Sequence, residues 1–118
     1  MGFFDALTKT LNNAGDAVKK TAIANTKKNW EQMDGLSTAR IISIYNEKGA
    51  DNAVGFLALL TLAKKKKLYE ISLTEEDKEN VERKCSSTNK MLEFEEDRES
   101  NDIRDAISTL KRDLPTYF

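Results

Sequence analysis

The sequence predicts an all-α fold, a single-domain bundle of about five helices with a buried central helix at about residues 52–67. Three observations predict it. Proline is absent before Pro115 and the five glycines are scattered, so little forces the chain out of helix. Period-two alternation of β-branched residues is almost missing, whereas apolar residues recur at spacings of three and four. The length of 118 residues suits one domain. A chain of that size buries roughly two thirds of its unfolded surface without needing a metal or a disulfide. Residues 1–33 are expected to form an N-terminal amphipathic helix and residues 37–118 the helical core.

In the first segment, Phe4, Leu7, Leu11, Ala14, Val18 and Ala22 fall on one helical stripe, and Trp30 and Met33 resume it. Asn12, Asn13, Gly15, Asn25, Thr26 and Asn29 are weak helix formers, so this helix needs a surface to pack on. Asp34-Gly35 is a stop. Ser37 reads as the N-cap of a short helix to about Lys48 carrying Ile41, Ile42, Ile44 and Tyr45, and Gly49 as its left-handed end. Asp51 is expected to cap the next helix, to about Lys67. There Val54, Phe56, Leu57, Leu59, Leu60 and Leu62 cover most of the circumference, the mark of a buried element.

Leu68 to Leu73 reads as a connector, a single turn or a short extended piece. Thr74-Glu75-Glu76-Asp77 is a strong helix start, with a capping hydroxyl and acids where the macrodipole favours them. That helix has only a thin apolar stripe of Val81, Cys85, Thr88 and Leu92. Ser100 is expected to cap the last helix, with Ile103, Ala106, Ile107, Leu110 and Leu114 facing inward and Pro115 ending it.

Composition excludes more than it assigns. The chain has no histidine, which removes every scheme that needs an imidazole. Cys85 is the only cysteine, so no internal disulfide forms, and a lone thiol suits a reducing cytoplasmic setting. As a nucleophile it has no imidazole to activate it, and on the Val81 stripe it reads as a small hydrophobe. Gly49 and Gly55 stand alone, without a phosphate-binding loop. The start carries Asp5 and no basic region, unlike a secretory signal, and Ala6 breaks the myristoylation pattern that Gly2 begins. The nearly apolar run from Ala53 to Ala63 is far short of the roughly 20 residues that span a bilayer. No enzyme, cofactor or metal is expected.

The net charge of −1 conceals an asymmetry. Residues 1–69 carry 11 Lys or Arg against 6 Asp or Glu, and residues 70–105 carry 6 against 13. Either the two halves neutralise each other on packing, or they present two faces to partners. Lys64, Lys65, Lys66 and Lys67 suit a helix C-terminus and keep its end soluble; the alternative is a contact to phosphate or anionic lipid. Nucleic acid is not the expected partner, because Arg is missing around that run and Tyr69 is the one aromatic close to it.

Glu95, Glu96 and Asp97 open an acidic stretch that continues to Asp105. A calcium loop starting at Asp97 would need Gly at Asp102 and Glu at Ser108, and neither is present. Phe3, Phe4, Leu7 and Leu11 form the apolar tip of the first helix, flanked by lysines. That tip suits docking on the domain's own core, a groove in a protein partner, or an anionic membrane surface.

These readings lead by subtraction to a small non-enzymatic protein-binding module of the adaptor, immunity or inhibitor kind, acting through charged helical faces. The alternative is a peripheral membrane protein attached through its N-terminal helix.

Overall fold

The computed structural model describes residues 16–114. Five α-helices and one 3-10 turn follow in order: α1 Asp16–Asp34, α2 Thr38–Lys48, α3 Ala53–Lys64, the turn Leu68–Glu70, α4 Glu75–Met91 and α5 Arg98–Asp113. The described residues contain no strand. The architecture is all-α, as the apolar spacing predicts.

Local side-chain chemistry sets the helix starts. Ser37 accepts the Arg40 N–H at 3.2 Å and begins α2. Gly49 ends α2 at φ 79, donating its N–H to the Tyr45 carbonyl at 2.8 Å. Thr74 and Asp77 form a reciprocal capping box, each side chain accepting the other's backbone N–H at 3.0 Å.

Two expected caps are displaced. Asn52, not Asp51, caps α3: its Oδ1 accepts the N–H groups of Val54 at 2.8 Å and Gly55 at 3.3 Å. Asp97, not Ser100, caps α5, accepting the Ser100 N–H at 3.3 Å and the Ser100 hydroxyl at 2.8 Å. Ser100 is itself fully buried in the first turn.

The central helix is shorter than its apolar and lysine pattern suggests. It ends at Lys64 because Lys66 turns left-handed, at φ 61. The N–H of Lys67 then reaches the Leu62 carbonyl at 2.9 Å and that of Lys66 reaches Ala63 at 3.1 Å. This is the Schellman arrangement, with lysine where glycine is usual.

Every residue from Gly55 to Ala63 is buried. Thr61 satisfies its hydroxyl by donating to the Leu57 carbonyl at 2.8 Å. Gly55 is required by close approach: a Cβ there would lie 1.9 Å from the Gly49 carbonyl oxygen at the end of α2. α2, α5 and α1 pack around α3, and α4 lies against α5. The inward residues of α5 are the expected Ile103, Ala106, Ile107, Leu110 and Leu114; Pro115 lies outside the described residues. No helix among the described residues is long and apolar enough to cross a membrane.

α1 docks on the core through Ile23, Trp30 and Met33, with Ala22 also buried. The gap in its apolar stripe is filled by Thr26, whose hydroxyl donates to the Ala22 carbonyl at 2.8 Å, and by the half-buried Lys27. Phe3, Phe4, Leu7 and Leu11 lie outside the described residues.

Candidate functional site

The polar side chains converge in two places. The first is a 260 Å³ cleft lined by Trp30, Glu31 and Asp34 of α1, Lys64 of α3, and Arg98, Glu99 and Asp102 of α5. A buried indole needs a partner for its N–H. Trp30 finds one 72 residues away, donating to Asp102 Oδ2 at 3.0 Å. Lys64 donates to the same oxygen at 2.7 Å and to Asp34 Oδ1 at 3.4 Å, with its Nζ 5.4 Å from the Trp30 ring centroid. One ammonium thus ties three helices together.

Charge states in the cleft follow from these contacts. The hydrogen bond to Asp102 raises the Lys64 pKa against the opposing effect of partial burial. Partial burial works against the Asp102 charge, but Lys64 and the Trp30 N–H outweigh it and hold that carboxyl below its usual value. Glu31 is pushed up, first by a hydrogen bond with Glu99 and then by the like charge of that carboxylate.

The second place is the turn between α4 and α5. Lys27 Nζ lies 3.2 Å from Asp97 Oδ1 and 3.7 Å from Glu95 Oε1. Arg104 donates to the carbonyls of Leu92 and Glu95 and to Asn101 Oδ1, closing the turn from beneath. The Ser100 hydroxyl, then Lys27, hold the Asp97 carboxyl well below the usual carboxylate range. Phe94 projects from this turn with 78% of its surface exposed. Exposed Glu93 and Glu96 and the half-buried Glu95 surround it in sequence.

The expected contact residues therefore separate into two roles. Lys64 and Lys65 fasten helices: Lys65 Nζ reaches the Asp34 carbonyl at 3.3 Å and its Oδ1 at 4.0 Å. Lys66 shapes the end of α3, and Lys67 lies 3.4 Å from the Tyr69 hydroxyl and 5.8 Å from the Tyr69 ring centroid. Glu95 and Asp97 are engaged by Lys27, whereas Glu96 offers an exposed side chain. The Lys27 contacts, together with Lys64–Asp102, pair lysines of the basic half with carboxylates of the acidic half, while the exposed Arg83–Asp51 pair at 3.9 Å joins the halves in the opposite sense. The asymmetry is thus partly spent within the fold.

Trp30, Glu31, Asp34, Arg98 and Arg104 belong to these two places without having stood out as site residues in the sequence. Trp30 alone gave a signal, as the one tryptophan, whose N–H requires an acceptor once buried.

Two buried groups lie apart from both places. Burial pushes the Cys85 thiol up to about 11, so it stays protonated at neutral pH. Burial, and then the charge of Asp77, raise Tyr45 to about 12, and its hydroxyl has no hydrogen-bond partner among the described residues. No cluster of three or more ligand-type side chains among the described residues is arranged to hold a metal ion. Comparison with known protein families, curated proteins and solved structures gives no match.

Proposed function

We propose that this chain is a small cytoplasmic protein-binding module of the adaptor, immunity or inhibitor kind, without catalysis of its own. In this reading the outer face of α4 and the turn at Phe94 receive the partner. The observation that carries it is the contrast within α4: only Val81 and Cys85 of its 17 residues are buried, yet it leads into a phenylalanine left 78% exposed. Glu75, Glu76, Glu79 and Glu82 are exposed along the same helix. Aromatic side chains at the centre of an interface commonly anchor it, while surrounding charge steers encounter and excludes wrong partners. A partner with a basic surface suits this face.

The test places a photo-crosslinking residue at position 94 in the full chain and at exposed Arg40 on α2 as a control, in native host extract. The expected result is discrete protein adducts from position 94 only. They should weaken with added salt, since screening acts over about 8–10 Å at 0.1–0.15 M ionic strength. They should disappear when Glu79, Glu82 and Glu96 are reversed to Lys. Identical adducts at both positions, or adducts indifferent to the reversal, would overturn the reading. Flotation of the chain with anionic liposomes, lost when Phe3, Phe4, Leu7 and Leu11 are replaced by Ser, would instead favour attachment to a membrane surface.

A further inference from the structure

We draw no further inference here: the strongest candidate, the cleft between α1, α3 and α5 where Glu31, Asp34, Glu99 and Asp102 gather around Lys64 and Arg98, is an acidic cluster whose contacts already serve to fasten the three helices, and no unpartnered buried group among its described residues points to a ligand.

Discussion

Helices α3 and α4 are built to opposite ends. α3 has 12 residues and buries nine of them in succession; α4 has 17 and buries two. The apolar helix owes its position to what surrounds it, since no face of it can meet water at low cost. α4 is held by a capping box, acids in its first turn and a narrow seam through Val81 and Cys85. Burial is therefore concentrated in α3, and most of α4 faces solvent. That division is the reason for proposing a partner surface on α4.

Substitutions sharpen the contrast. The largest effect is expected at Leu60, which has no exposed surface. Leu60→Asp leaves a charge without a partner in the core and removes packing, a loss of several kcal/mol out of a total of about 5–15 kcal/mol. Circular dichroism should show a largely unfolded or molten chain. A melt within a few degrees of wild type would show that α3 is not the centre of the fold.

Gly55→Ala should come next. Alanine normally favours a helix interior, but here the added Cβ meets the Gly49 carbonyl oxygen at 1.9 Å. Forcing that contact apart should cost about 1–3 kcal/mol, read by denaturant titration. A stabilised variant would mean that the α2–α3 approach opens freely.

Asp97→Ala removes the cap of α5 and the partner of Lys27 together. The thermal midpoint at neutral pH should fall, by less than for Gly55→Ala. The pH dependence has a defined sign. Asp97 is depressed in the folded state, so its contribution is complete above the unfolded carboxylate value near 3.9 and is lost as pH falls toward the folded value. Glu31 is raised, so its contribution runs the other way and weakens as pH rises through the folded value. Asp97→Ala should flatten the acid limb of the stability curve, and Glu31→Gln should flatten its mildly acidic side.

At the end of α3, Lys66→Gly should stabilise by up to about 1 kcal/mol, because glycine adopts the left-handed conformation without a Cβ clash. An unchanged denaturation midpoint would mean that the lysine stem contributes packing there that offsets the strain. The smallest effect belongs to α4. Reversal of exposed Glu79, Glu82 and Glu96 to Lys should leave stability within about 0.5 kcal/mol per site while abolishing the adducts expected from position 94. A large loss of stability would show that this face works for the fold and not for a partner.

Much of this was legible in the chain itself. The number of helices, the all-round apolar pattern of Val54–Leu62, the Thr74 capping box and the Gly49 terminus depend on residues within a few positions of one another. Near-neighbour chemistry dictates such features whatever the rest of the fold does. Two expected caps, Asp51 and Ser100, lie one and three residues from the observed ones, Asn52 and Asp97. Asp51 and Asn52, or Asp97 and Ser100, each suit the role, and the direction in which the chain enters the helix decides between them.

The candidate site was the least legible part, because its members are distant in sequence. Nothing local to Trp30 indicates Asp102, and nothing in four successive lysines says that the first two will be drawn back onto Asp34. By itself the sequence determined an all-α chain with one greasy helix and one polar one, through spacing and propensity. Only the tertiary structure decided which charges close the bundle and which remain facing water. Ion pairing depends on distances of a few ångströms between helices, and packing alone sets those distances.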